Sequence, residues 1–371
     1  MDRKVTYAED ILCGRLAGES RSPARVLVAG NRSGGAAVAV MRRWPEAEVV
    51  AHAFDFHHAR AIRKRLLDEV LPARNVRCSA GVGVNGTDAL SPDVENREPF
   101  DMALFMTTPQ SMPAELVLDQ LQDIHANLSD GGVLLAAFEG NPDEALRTMK
   151  LVWGTVNVAA RAKHAVLFRA VKRGALAKLR DFSAIWRASV PGHAPLEFTT
   201  YPGCFCHRRP DAGGLALAEV AAREQGGAGR ILDMGCGCGI VGLLVANALR
   251  REVQDGLPGL TLIDSHARAI AAAKVNAARA GIAAEFILGD DGLPRGRVGE
   301  YDLFVGNPPY YSDYRIAEVF LETAYRALRP NGVCLTVVKT ATGLLALQEK
   351  YFRKVEIIKR RGYCVLRSVR L

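Results

Sequence analysis

Ile231-Leu232-Asp233-Met234-Gly235-Cys236-Gly237-Cys238-Gly239-Ile240-Val241-Gly242 decides the fold. An apolar run of strand length ends in a glycine turn and passes into an apolar stretch of helical length, Leu243 to Leu249. Glycines suit that turn because the backbone must reverse tightly and approach a ligand with no Cβ in the way. Downstream, the strand Leu260 to Ile263 ends at Asp264-Ser265, where a carboxylate can accept hydrogen bonds from both hydroxyls of a ribose. The strand Glu285 to Gly289 ends at Asp290-Asp291, and the strand Asp302 to Gly306 runs straight into Asn307-Pro308-Pro309-Tyr310. Strands alternating with helices imply a mostly parallel sheet covered on both faces, with its strand carboxyl ends facing a ligand crevice.

The same order occurs upstream. Arg25 to Ala29 ends in Gly30-Asn31-Arg32-Ser33-Gly34-Gly35 and a helix through Arg43. Glu48 to Phe54 ends at Asp55 and leads into a basic helix carrying Arg60, Arg63, Lys64 and Arg65, which His57-His58 begin. Phe100 to Met106 reads as a strand, Ala114 to Leu128 as a helix, and Ser129-Asp130-Gly131-Gly132 turns into the strand Val133 to Phe138. Gly235 matches Gly30, Asp264 matches Asp55, Asp302 matches Asp101 and Leu328 matches Leu128, at offsets of 205, 209, 201 and 200 residues. Four matches in order at nearly one offset imply two copies of one α/β fold. The expected boundary lies near 185–200, where Val190-Pro191-Gly192-His193-Ala194-Pro195 reads as a turn-rich connector, giving domains 1–185 and 186–371. Length agrees, since 371 residues is more than twice the ~150 of an ordinary domain.

Composition narrows the class. Hydrophobic residues at 49% and charged residues at 24% exclude a disordered chain. No uninterrupted run of ~18 apolar residues suggests a membrane span. The charged opening segment, Asp2 to Asp10, is followed by no apolar region, so no secretory signal is read and a cytoplasmic protein is expected. Eight dispersed cysteines make no disulfide framework. Cys204/Cys206 and Cys236/Cys238 are spaced more closely than zinc pairs usually are, so no metal is expected. The formal charge of +8 favours an anionic partner, nucleic acid first.

The glycine loop and Asp264 would serve NAD or S-adenosylmethionine equally. Asn307-Pro308-Pro309-Tyr310 separates the two, because a hydride-transfer enzyme has no use for it. The Asn307 side-chain oxygen and the Pro308 carbonyl can both accept hydrogen bonds from a planar NH2 group, and the prolines keep those acceptors aimed. Tyr310 adds an aromatic face on which a base can stack, worth about 1–3 kcal/mol. On these residues the C-terminal half resembles class I S-adenosylmethionine-dependent methyltransferases of the Asn/Asp-Pro-Pro-Tyr/Phe type, which act on exocyclic or amide nitrogens. With the duplication, and with Tyr201-Pro202-Gly203-Cys204-Phe205 ahead of Asp211, the whole chain resembles bacterial ribosomal RNA guanine-N2 methyltransferases of the RsmC and RlmG type.

That resemblance implies two tandem Rossmann-like class I methyltransferase domains, each a mostly parallel seven-stranded sheet, the first degenerate and serving RNA recognition or folding support. It implies methylation of a guanine N2 amine, with ribosomal RNA or a ribosomal subunit as partner. S-adenosylmethionine is expected across Gly235, Cys236, Gly237 and Gly239, with Asp233 or backbone groups near its methionine amine, Asp264 and Ser265 on the ribose, and Asp290 or Asp291 near the adenine amine. Asn307 is expected beside both cofactor and target, with Pro308, Pro309 and Tyr310 on the target. Degeneracy of the first copy agrees with Asn31 and Arg32 breaking its loop and with Thr107-Thr108-Pro109-Gln110 standing where the second copy has Asn307 to Tyr310. Where the family commonly has Asn-Pro-Pro-Phe-His, this chain has Tyr310 and Tyr311, which bears on the choice of nucleotide.

Methylation of another planar amine, adenine N6 or a glutamine amide in protein, is the neighbouring reading; a NAD-dependent oxidoreductase is the reading from a different class. For holding RNA, residues 161–187 offer Arg161, Lys163, Arg169, Lys172, Arg173, Lys178, Arg180 and Arg187 interleaved with Phe168, Phe182 and Trp186. The helix Arg60 to Arg65 and the cluster Lys359-Arg360-Arg361 are weaker candidates.

Overall fold

Two seven-stranded sheets follow one plan in the computed structural model, which describes residues 6–30, 33–69, 76–79, 83, 98–108, 112–224, 229–249, 259–293, 296–309 and 314–371. Asn31, Arg32, Pro109, Gln110, Tyr310 and Tyr311 lie outside the described residues. The chain divides into two compact units, Met1–Phe182 and Ser183–Leu371.

The first unit runs α1 (Tyr7–Leu16), β1 (Arg25–Ala29), α2 (Gly35–Arg43), β2 (Glu48–His52), α3 (Phe56–Asp68), β3 (Val76–Ser79), β4 (Phe100–Thr107), α4 (Ala114–Asn127), β5 (Leu128–Glu139), α5 (Pro142–Trp153), β6 (Asn157–Arg161) and β7 (Ala165–Val171). The second begins with a hairpin, β8 (Ala184–Ala188) and β9 (Leu196–Thr200), then α6 (Ala212–Ala221), β10 (Arg230–Met234), α7 (Ile240–Leu249), β11 (Gly259–Asp264) and α8 (Ala267–Ala280). It continues with β12 (Ala284–Leu288), β13 (Tyr301–Gly306), α9 (Arg315–Ala327), β14 (Leu328–Val338), α10 (Thr342–Tyr351), β15 (Val355–Arg360) and β16 (Tyr363–Val369).

Strand order is β3-β2-β1-β4-β5-β7-β6 in one sheet and β12-β11-β10-β13-β14-β16-β15 in the other. Among the described strands of these two sheets, β7 and β16 pair antiparallel with their neighbours and the other pairings are parallel. The duplication read from four matched positions is therefore a duplication of topology. The Val190 to Pro195 turn differs from expectation: it closes the β8–β9 hairpin inside the second unit and joins no domains. The turns at 128–132 and 328–332 are drawn into β5 and β14, each pairing with a register shift. Gly131 and Asn331 occupy the matching position in the two copies, both with positive φ (79° and 67°), asparagine being among the few other residues that tolerate it.

Burial in the second sheet alternates between its faces as a strand period demands. Ile231, Leu303, Val305 and Leu335 pack with α6, α7 and α8 residues such as Leu217, Leu244 and Ala273. Leu232, Phe304, Cys334 and Leu366 pack on the other face with Phe320, Leu321 and Ala324 of α9 and Leu344 of α10. Strand order reverses between β10 and β13, so their carboxyl ends flank the crevice where this architecture binds ligands.

Candidate active site

Strand register brings the motif residues to one edge. Met234 pairs with Ile263 on one side and with Gly306 on the other, which sets Gly235 level with Asp264 and with Asn307. Asp264 in turn pairs with Leu288, so Asp290 follows at the same edge.

The loop between β10 and α7 is built by its glycines and two carboxylates. Gly235, Gly237 and Gly239 all have positive φ (68°, 54° and 84°), a region that residues with a Cβ avoid. A Cβ on Gly235 would lie 2.8 Å from Phe320 Cζ, whereas one on Gly237 would meet nothing within 4 Å. Gly235 is thus required by packing, and Gly237 leaves open backbone facing the crevice. The amides of Gly235 and Cys236 both donate to Ile263 O, at 2.8 and 3.0 Å. Asp264 Oδ2 accepts from Gly237 N and its Oδ1 from His266 N, both at 2.8 Å. A carboxylate oxygen can accept more than one hydrogen bond. Ser265 and Asp290 are half-buried at this edge, and Asp291 is exposed.

Asp233 is 1% exposed, and its Oδ2 accepts from Gly242 N in the first turn of α7 at 2.8 Å. That bond gives it a structural task, tying strand to helix. Burial raises its carboxyl to about 7, with the Gly242 hydrogen bond opposing and the Asp264 charge adding. The folded value lies above the ordinary one, so the unfolded chain gives up this proton first as pH rises. The stability contribution is complete below about pH 4 and is lost as pH climbs towards 7. We expect Asp233→Asn, which keeps an acceptor for Gly242, to gain on the wild type between pH 5 and 8, with a relative Tm change on the order of 5 °C. Melting curves at the two pH values check this, and a constant Tm difference would contradict it.

Asn307 follows β13 half-buried, with Pro308 buried and Pro309 half-buried behind it. Its Nδ2 donates to Asp211 Oδ2 at 2.7 Å, 96 residues away in sequence. Asp211 also caps α6, accepting from Gly213 N at 3.3 Å and, through Oδ2, from Gly214 N at 2.6 Å. Asn307 Oδ1 has no hydrogen-bond partner among the described residues. Asp211 was quoted in the sequence only as part of a resemblance; its capping position, ahead of Gly213-Gly214 and a helix, was the available signal. Beside it the turn 201–210 holds Phe205 68% exposed, with Arg208 and Arg209 also at the surface.

Residues 195–367 match the methyltransferase small domain family. The second unit is a class I methyltransferase domain. S-adenosylmethionine is its methyl donor, and the open backbone at Gly237 with the adjoining Asp264 carboxylate fits such a cofactor. The methyltransferase domain and the unit before it are together similar to the ribosomal RNA small subunit methyltransferase C of Pseudomonas entomophila, 29% identical over 79% of this chain and 83% of that one. The enzyme of the same name from Stutzerimonas stutzeri is 32% identical over 47% of this chain, which spans 52% of its length. Among solved structures, the T. thermophilus 16S rRNA N2 G1207 methyltransferase, in complex with AdoMet and guanosine, shares the fold: TM-score 0.74, 19% identity, 98% of this chain and 92% of that one.

Two expectations outside the methyltransferase loop are corrected. The aromatic residues of 161–187 are not arrayed for RNA: Phe168 is 1% exposed in the core of the first unit, Phe182 is buried, and Trp186 stacks on Phe198 at 4.9 Å. Packing turned them inward, Phe168 from β7 and Trp186 from β8, while Arg161, Lys163 and Arg173 stayed at the surface. Arg360 and Arg361 are committed to the buried carboxylate of Glu219. The second-strand acid of the first copy, Asp55, caps α3 by accepting from His57 N and His58 N at 2.9 and 3.4 Å.

The first copy fills its own loop. Glu9, 4% exposed on α1, accepts from Ser33 Oγ at 2.5 Å and from Ala36 N at 3.0 Å, placing a carboxylate at the start of α2. Arg65 Nη1 closes over it by donating to Ser33 O at 3.0 Å. Burial raises the thiols of Cys204 and Cys238 to about 11 and about 12. Among the described residues no three His, Cys, Asp or Glu side chains gather around a metal position, and no helix is long and apolar enough to cross a membrane.

Proposed function

We propose that the chain transfers a methyl group from S-adenosylmethionine to the exocyclic N2 amine of a guanine in ribosomal RNA. The observation that carries this reading is Asn307: an amide oxygen without a partner among the described residues, level with the glycine loop and followed by the fixed carbonyl of Pro308. Two acceptors at one point suit a planar NH2 group, whose two hydrogens they hold in the amine plane. The relatives named above support RNA over the other planar amines. The bound cofactor supplies an electrophilic methyl group.

In this reading Asp264 and Ser265 take the ribose, Asp290 the adenine amine, and the backbone from Gly235 to Gly239 the methionine end. Asp233 acts behind that loop through Gly242. A guanine amine is a poor nucleophile because its lone pair is delocalised into the ring. Asn307 and Pro308 therefore contribute by orientation, turning the nitrogen lone pair towards the methyl carbon. No strong base is needed, since the amine proton becomes acidic once nitrogen is alkylated. The base must leave its stack to reach the site. The exposed ring of Phe205 offers a face for it or for its neighbour, with Arg208 and Arg209 near the phosphates. The first unit, its loop filled by Glu9, serves RNA recognition or folding support.

Transfer of labelled methyl groups to small-subunit RNA, large-subunit RNA and a protein extract tests the proposal. Recovery of N2-methylguanosine from one RNA is the expected result. Label in N6-methyladenosine or in protein would keep the chemistry and overturn the substrate.

A further inference from the structure

We propose that Asp211 is a positioning residue for methyl transfer, acting through Asn307; the inference rests on the amine-methylation reading. An ionised carboxylate only accepts hydrogen bonds, so the 2.7 Å contact must be made by the Asn307 NH2 end. This contact selects one of the two amide orientations and leaves Oδ1, the atom that must accept from the target amine, without a partner among the described residues. The opposite flip would present a donor to a donor, and the target would be rejected.

Asp211 is itself held. The amides of Gly213 and Gly214 fix both carboxylate oxygens at the start of α6, and Cys206 Sγ lies 3.9 Å from Oδ1. The same residue caps a helix and aims an amide, so Asn307 is braced against a rigid element and not merely against its own loop. Charge adds a second effect. A carboxylate on Nδ2 polarises the amide and makes Oδ1 more negative. The target nitrogen turns cationic as its bond to the methyl carbon forms and the carbon–sulfur bond breaks. The interaction with Oδ1 therefore strengthens most in the transition state, where it raises kcat.

Two variants separate aiming from capping. Asparagine and serine both cap helices as aspartate does. Asp211→Asn keeps the cap and the reach to Asn307 but removes the charge; Asp211→Ser keeps the cap and loses the reach. We expect kcat to fall about tenfold in the first and about fifty-fold in the second, with Tm and S-adenosylmethionine affinity close to wild type. Adding Asp211→Ser to Asn307→Ala should cost nothing further, because one act is removed twice. Additive losses, or single variants within twofold of wild type, would overturn the proposal. The coupling is read on whichever amine accepts the label, so a different acceptor would refute the RNA substrate and leave this result standing. A crystal structure of Asp211→Ser gives a readout that needs no substrate: Asn307 leaving its orientation is expected, and Asn307 unmoved would count against the role.

Discussion

Asn307→Ala should lower kcat by about a thousandfold, roughly 4 kcal/mol of transition-state stabilisation, while leaving the dissociation constant for S-adenosylmethionine within about threefold of wild type. The split follows from where the side chain's bonds go. Nδ2 is spent on Asp211, and Oδ1 has no partner among the described residues. The cofactor pocket loses little when the side chain is cut back, but the target amine loses an acceptor that sets its plane. Only Pro308 O then remains, and one hydrogen bond allows the amine to rotate about it. Single-turnover methyl transfer with saturating cofactor, set beside calorimetric titration of the cofactor, measures the two quantities. A large loss of cofactor affinity would move Asn307 from the target to the cofactor.

Asp264→Ala should do the reverse, weakening S-adenosylmethionine binding about a hundredfold or more. Two losses add there. The ribose hydroxyls lose charge-assisted acceptors, each worth about 1.5–3 kcal/mol. Gly237 N loses its 2.8 Å partner, so the loop is no longer pinned to the end of β11. Asp264→Asn, which retains one carbonyl oxygen, should fall between. Since Oδ1 also accepts from His266 N at the start of α8, Tm should drop modestly in the alanine variant. Calorimetry at a temperature well below both melting points separates binding from folding. An unchanged dissociation constant would show that the acid serves the loop alone.

Much of this was legible in the residue order because the signals are local. The glycine loop, the acids closing the next two strands and Asn307-Pro308-Pro309 each combine a strand end with a chemically distinctive turn. The parallel topology turns every such strand end to the same edge. The doubled sheet was legible for the same reason, since each half repeats the pattern at a near-constant offset. The basic stretch at 161–187 misled because charge is readable along the chain and side-chain direction is not. Packing buried Phe168 and Phe182.

By itself, the sequence determined the α/β class, the duplication, the order of the crevice residues and the place of Asn307-Pro308-Pro309 at a strand end, all of which follow from neighbours in the chain. Only the tertiary structure decided which way those residues are used. It drew Asp211 onto Asn307 across 96 residues, because α6 starts where β13 ends. It withdrew Asp233 from solvent and set its carboxylate on Gly242, because β10 is central in its sheet and α7 packs against it. It gave Glu9 to the loop of the first copy, because α1 meets α2 at its amino end. Each is a contact between groups distant in sequence, fixed by which elements pack together.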